Sequence, residues 1–377
     1  MTPTSDLSKT TESQSDSCVL RTAFLVEKID GEPCRRILDE LGFLDHSCKP
    51  FAKDAFLYLP LFKNPETEER LKIGKLLENQ ISSSHSDFEM FLEDISFQTQ
   101  KKSLTVSEIL GFSIAYEIVG DIAVIDDKIT ESEDDSAEIS DISNISKIAD
   151  AILTAHPAVK TVLLSTGPIS GEFRTRPLQF IAGIDKTATI HKEYGCKYNV
   201  DLARAYFTPR LSTERHRILS QIKDGETVID MFAGVGPYSI MIAKNASPKL
   251  VIANDKNEAA TELLQKNAAL NKVSNMIVLN EDAAVLSKEY EGVGDHVIMN
   301  LPHNAYDFLD TAVSVCRKNG VIHYYAMTSD DDLFDGSIEM IRTAAEKQNR
   351  KIEVVEMKNV RSYAPHQYNI CLDVRIL

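Results

Sequence analysis

The stretch Asp230-Met-Phe-Ala-Gly-Val-Gly-Pro-Tyr-Ser239 follows the apolar run Thr227-Val-Ile and overlaps a second one, Tyr238-Ser-Ile-Met-Ile-Ala243. This order reads as a short buried strand, a glycine turn and a helix N-terminus. A nicotinamide-binding turn surrounds a pyrophosphate with glycines and helix N–H groups. Here Ser239 stands at the third glycine position and Pro237 deletes one N–H donor. Proline is comfortable in a first helical turn, and the turn suits a ligand without phosphates.

From about Asp201 onward, strand and helix patterns alternate: TVIDMFA, LVIAND, MIVLNED, DHVIMNLP, GVIHYYAM and NICLDVRIL are separated by runs such as Asn257–Asn267. Such alternation implies a mostly parallel sheet covered by helices, with ligands at the carboxyl ends of the strands. Asp255 stands 19 residues beyond Gly236, the interval at which this topology offers an acceptor to ribose hydroxyls, and Asp282 closes the next strand. Taken singly, the turn is also readable as a tight connection without a ligand, and Asp255 as an ordinary strand-end acid. Together they read as an α/β, Rossmann-like class I methyltransferase domain over 201–377 whose cofactor is S-adenosylmethionine.

The 377 residues exceed the usual single-domain size, so two or three domains are expected. The formal charge of −16 argues against a generic polyanion binder, DNA included. Much of it is local: residues 126–141, DDKITESEDDSAEISD, hold eight acids against Lys128 and leave −9 on the rest. That segment reads as a solvated acidic insert, or else as a regulatory element. The six cysteines show no C-x-x-C pair or zinc spacing, so reduced structural thiols and no metal site are expected. Residues 1–19 read as a disordered tail without the marks of a signal peptide, and no apolar run reaches a membrane span; a soluble, cytoplasmic protein is expected.

Residues 20–62 contain strand candidates RTAFLVE and AFLYLP around a helical CRRILDELG, a small N-terminal module. Residues 63–105 are rich in Glu, Lys, Gln and Ser and read as a linker with a helical part. An α+β middle domain is expected over 106–200, with strands near 114–125 and 160–165. From Glu172 to Arg217, nine Lys or Arg stand against five acids, interleaved with Tyr194, Tyr198, Tyr206 and Phe207. The pattern suits an RNA backbone with exposed bases, and equally a solvated surface with aromatic anchors.

After the fourth strand comes Asn300-Leu-Pro-His303, a departure from the Asn-Pro-Pro-aromatic sequence of amino-methylating enzymes. Together with GEFRTRPLQFIAG (171–183), AYFTPRLSTERHRI (205–218), DMFAGVGPYS and VRSYAPHQYNICLDV, it resembles the archaeal and eukaryotic tRNA guanine-N1 methyltransferases that act on position 37, beside the anticodon. The resemblance covers about 105–377. The N-terminal module is more loosely similar to the family domain that contacts the outer corner of tRNA.

The resemblance implies that Glu214 is the general base, Arg174 stabilises charge on O6, Asn300 holds the guanine edge, and Tyr206 and Pro302 shape the pocket. It further implies cofactor contacts from Arg215, Phe232, Gly234, Gly236, Asp255, Lys256, Asp282, Ala283 and Asn300. A base is required because N1 of guanine carries a proton at neutral pH, and a positioned carboxylate contributes roughly 10²- to 10⁴-fold. Outside that context, Glu214 beside Arg215 reads as a surface ion pair and Arg174 as a phosphate contact. His323, Tyr324 and Tyr325 lie in an apolar strand and read as core. Two rivals stand beside methyl transfer: a wybutosine-pathway transferase moving the aminocarboxypropyl arm of the same cofactor, and a tRNA-binding protein without catalysis. The family implies tRNA as partner, through anticodon loop and outer corner, and a monomer.

Overall fold

The computed structural model describes residues 18–78, 92–99, 104–126, 142–167, 171 and 174–377. Residues 1–17 of the expected tail and 127–141 of the acidic insert lie outside the described residues. The chain divides into two compact units, Met1–Ser103 and Leu104–Leu377.

The first unit comprises β1 (Cys18–Glu27), α1 (Gly31–Glu40), β2 (Phe51–Lys53), β3 (Phe56–Pro60), α2 (Thr67–Glu78) and β4 (Leu92–Gln98). Its antiparallel sheet has the order β2-β3-β1-β4. Helix α1 repeats apolar residues at Cys34, Ile37 and Leu38, the spacing that puts them on one face, and buries them against Phe24, Val26 and Leu59. Within 63–105 the expected helical part is α2, and the described residues pack into the unit. Helix α2 sends Ile73 and Leu77 into that same core, and β4 pairs with β1 from Cys18↔Gln98 to Phe24↔Leu92. That pairing also draws Cys18 and Val19 out of the expected tail and into a strand.

In the second unit, α3 (Val106–Leu110), β5 (Tyr116–Val119), β6 (Ile122–Ile125), α4 (Ile142–Ala155), β7 (Thr161–Ser165) and β8 (Leu178–Gly183) build a sheet of order β5-β6-β7-β8. A hairpin of β9 (Ala188–Glu193) and β10 (Cys196–Asp201) follows. The expected middle domain does not stand apart from the catalytic part. Val119, Ile122, Val124 and Leu163 share one core with Tyr198, Val235, Met241 and Leu264. The hairpin is also stitched across: the amides of Asn267 and Asn271 accept from the backbone of Asn199 and Lys197 at 2.6 and 2.9 Å and donate back at 3.0 and 2.6 Å. Two asparagine side chains thus extend the hairpin's ladder, satisfying backbone groups that burial would otherwise penalise.

The remaining elements are α5 (Ser212–Leu219), β11 (Thr227–Asp230), α6 (Pro237–Asn245), β12 (Leu250–Asn254), α7 (Glu258–Leu270), β13 (Met276–Leu279), α8 (Ser287–Tyr290), β14 (Gly294–Met299), α9 (Leu309–Val315), β15 (Cys316–Ser329), α10 (Asp335–Lys347), β16 (Ile352–Ala364) and β17 (Gln367–Ile376). They form a seven-stranded sheet of order β13-β12-β11-β14-β15-β17-β16. Only β17 runs against its neighbours. Strands β11 and β14 are buried along their whole length, as central parallel strands covered on both faces must be.

Because Ile73 is fully buried in the N-terminal core, Ile73→Ala is expected to destabilise that unit by about 2–5 kcal/mol. Denaturant unfolding of the full chain checks this; a linker residue would leave the curve unchanged.

Candidate active site

The order of the seven-stranded sheet reverses between β11 and β14, and a cavity of about 480 Å³ opens there, at the carboxyl ends of the strands. The glycine turn makes one wall, through Phe232, Ala233 and Gly234. Gly234 and Gly236 have φ of 55° and 89°, the left-handed region that a side chain resists. A Cβ on Gly236 would lie 2.2 Å from Leu264 Cδ1, so this glycine faces α7 rather than the cavity. It is a packing position, which lets the turn lie flat on the helix behind it.

Asp255 follows β12 at the cavity wall. One of its carboxylate oxygens accepts from Gly234 N at 2.7 Å and the other from Asn257 N at 2.9 Å. Burial pushes this carboxyl above its ordinary value, against those two bonds. Asp282 accepts from Ala284 N at 3.0 Å, which holds its carboxyl low, and pairs with Lys256 Nζ at 3.1 Å. Lys256, Asp282 and the buried Ala283 all line the cavity. The Phe232 ring meets Phe308 edge-on, with centroids 5.1 Å apart. Phe308, Asn304 and Asp307 also line the cavity and went unread in the sequence, since nothing in NAYDFLD announces that its short helical turn faces inward.

Beneath the turn, Asp230 is 1% exposed and takes a 2.6 Å bond from Ser239 Oγ on one oxygen, while its Oδ1 has no partner. Burial, with the charge of Asp255 added, pushes its carboxyl up to about 7. The cavity therefore has a turn with no phosphate cradle, flanked by a strand-end carboxylate and a second acid. These residues fit a nucleoside carrying a cationic tail.

Arg174, Tyr206 and Asn300 also line the cavity, and the Tyr206 carbonyl lies beside Gly234. Arg174 adopts φ of 53°, strained for a residue with a side chain. Its guanidinium lies 5.7 Å from the centroid of the Tyr206 ring. Partial burial, and next the charge of Arg174, depress the His303 imidazole. Arg174 thus reaches the loop that carries Asn300. That loop is pinned by Pro302, whose carbonyl accepts from Met327 N at 2.9 Å. Pro302 thereby anchors the loop that carries Asn300.

Arg215 lines the cavity but is 2% exposed, and Glu193 binds it at two points, 2.7 and 2.5 Å. Glu214, one residue earlier on α5, does not face the cavity. Arg217 holds it bidentately at 2.9 and 2.7 Å, and the Tyr325 hydroxyl donates to it at 2.8 Å. The expected base is therefore turned into a buried ion cluster, where it escapes the cost of an unpaired charge. Its neighbours Leu211 and Arg215 do reach the cavity. Tyr325 is core, as expected, yet touches the one carboxylate on which the chemistry was placed.

The switch-point cavity, the glycine turn with strand-end acids and the strand order together define the class I methyltransferase fold. The tRNA (guanine(37)-N(1))-methyltransferase Trm5b of Pyrococcus abyssi is 38% identical over 348 residues, covering 92% of this chain and 96% of the relative. Residues 189–355 match the TRM5/TYW2 methyltransferase domain and residues 24–69 the tRNA methyltransferase 5 N-terminal domain. The chain belongs to the TRM5/TYW2 family of methyltransferases. Among solved structures, the complex of aTrm5 and tRNALeu superposes with a TM-score of 0.62 at 32% identity, and Methanocaldococcus jannaschii Trm5 in complex with adenosine with 0.56 at 33%. Each comparison covers 94% of this chain and 99% of the other.

Asp255→Ala is expected to weaken S-adenosylmethionine binding by about 1–3 kcal/mol, the value of hydrogen bonds to a charged acceptor; titration calorimetry reads it, and unchanged affinity would overturn this role. Asp230 yields a pH prediction. A carboxyl whose folded pKa is raised destabilises the fold increasingly as pH climbs from its unfolded value near 4 toward about 7. Asp230→Asn removes that burden, so the variant should exceed the wild type in urea stability at pH 8 by at least about 1 kcal/mol. The difference should disappear near pH 4.

Proposed function

We propose that this protein methylates N1 of guanine 37 in tRNA, with S-adenosylmethionine as donor. The observation that carries this reading is a single cavity with two unlike sets of lining residues. Gly234, Asp255 and Asp282 suit an adenosine and a cationic tail, while Arg174, Tyr206 and Asn300 suit a purine. Similarity over both the N-terminal segment and the catalytic domain to a guanine-N1 methyltransferase supports methyl over aminocarboxypropyl transfer. When bound, the cofactor supplies an electrophilic methyl group; the chain supplies everything else.

Asn300 and Tyr206 orient the base, and Arg174 meets the negative charge that collects on O6 as the N1 proton leaves. A fixed guanidinium is most effective where charge develops and water is excluded. Glu214 takes the proton. To do so it exchanges Arg217 for the incoming guanine, a rotation from the buried cluster toward the face of α5 where Leu211 and Arg215 already meet the cavity. A carboxylate locked to a guanidinium is a poor acceptor, so arrival of tRNA must precede catalysis. The N-terminal unit is proposed to contact the outer corner of the tRNA, with the anticodon loop at the cavity.

Glu214→Gln is expected to lower single-turnover methyl transfer to unmodified tRNA by at least ~10²-fold while sparing cofactor and tRNA affinity, since proton abstraction alone is lost. A rate near wild type removes Glu214 as the base.

A further inference from the structure

Polar side chains form a continuous chain, buried at His296, His323, Asp373 and Glu214 and partly open to solvent at Glu226, Arg217 and Glu356. Glu226 meets His296 at 3.2 Å, His296 meets His323 at 2.9 Å, and His323 meets Asp373 at 2.7 Å. Asp373 and Glu356 hold Arg217 at 2.6 and 2.7 Å, and Arg217 holds Glu214. From the other side, Tyr238 donates to the Tyr325 hydroxyl at 3.1 Å, and Tyr325 donates to Glu214 at 2.8 Å. Tyr325 is fully buried and Tyr238 is 2% exposed.

Resting on the reading of Glu214 as the base, we infer that Tyr325 is a positioning residue: its hydroxyl keeps hold of the Glu214 carboxylate while that carboxylate trades Arg217 for the guanine proton. The arrangement makes the trade inexpensive on the arginine side. Three carboxylates, Glu214, Asp373 and Glu356, share one guanidinium, so Arg217 keeps two partners when Glu214 departs. It leaves Glu214 with one fixed partner. The Tyr325 ring is locked in β15, and burial pushes its phenol far above its ordinary value, so it remains a donor throughout. Tyr238 donates to that hydroxyl oxygen, and the single Tyr325 proton goes to Glu214. Tyr238 follows Pro237, a cavity residue, so the chain begins at the cofactor turn itself.

The charged and titratable groups around Glu214 are Arg217 on its own helix, Tyr238 on α6, Tyr325 and, beyond Asp373, His323 on β15, Glu356 on β16, and Cys371 and Asp373 on β17. Asp373 is pushed up by burial, yet bonds from His323, Arg217 and Gln221 hold it far below the usual carboxylate range. Burial, with His323 beside it, depresses His296 to about 3. Neither group changes charge between pH 5 and 9; an acidic limb over that interval is assigned by its loss in Glu214→Gln, which separates it from the Asp230 carboxyl at about 7.

The test is single-turnover transfer of labelled methyl from S-adenosylmethionine to unmodified tRNA across roughly pH 5 to 9, for wild type, Tyr325→Phe and Glu214→Gln. Removing a hydrogen bond that stabilises the carboxylate raises its pKa. Tyr325→Phe should therefore move the acidic limb upward by about half a pH unit or more and lower the plateau by about 10-fold, with both ligand affinities unchanged. A limb that stays in place, with or without a lower plateau, overturns the inference, because a merely structural tyrosine does not move it. If Glu214→Gln retains the wild-type rate and limb, the base assignment has failed instead. Should thermal melting show Tyr325→Phe unfolded, Tyr238→Phe leaves Tyr325 in place and should shift the limb in the same direction by less; an unmoved limb there is equally decisive against it.

Discussion

The guanidinium of Arg217 binds Glu214, Asp373 and Glu356 and so ties the helix at the cavity rim to the two C-terminal strands. Much of the site depends on this tie. Helix α5 also carries Leu211 and Arg215 into the cavity, and Arg215 clamps Glu193 at the end of β9. Arg217 is half-buried and Glu356 exposed, while Glu214 and Asp373 are buried, so one guanidinium balances two carboxylates that have left water and one that has not. The rim helix is thereby held at one orientation between the hairpin and the main sheet. The same cluster stores the candidate base in a paired state, so the resting enzyme does not present a naked carboxylate to water.

The catalytic sheet was legible in the sequence because its central strands are buried on both faces and read as unbroken apolar runs. Strand β16 was missed for the opposite reason: it is an edge strand, with Val355 and Met357 exposed among charged neighbours. Strand β4 is also an edge strand, and of its seven residues only Phe97 is buried. A segment so polar reads as a linker, and the narrow stripe of Ile73 and Leu77 on α2 is too slight to outweigh the surrounding Glu and Lys. The boundary drawn near residue 200 failed because the sharing of one core by two stretches of chain leaves no mark in either stretch.

For the site, local motifs were enough to find the residues that line the cavity from the glycine turn and the strand ends. They were not enough for Glu214, whose surroundings come from Tyr325 and Asp373, 111 residues from Glu214 and 156 from Arg217 respectively. Gly236 and Pro302 show a related limit. Each sits inside a motif expected to meet a ligand, and each also serves the scaffold, against Leu264 in one case and Met327 in the other. A motif marks the neighbourhood of a site; which members reach the ligand depends on the direction in which each side chain leaves the backbone.

The bond from Gly234 N to Asp255 has a consequence for which small molecules the cavity refuses. An amide that a dinucleotide turn would offer to a pyrophosphate is already occupied, and Pro237, at the first position of α6, has none to offer. The carboxylate that occupies the amide lines the cavity and would repel a phosphate brought to the turn. With one amide occupied and one absent, the turn would act as a filter by charge, favouring a nucleoside with a positive substituent over its phosphorylated analogues.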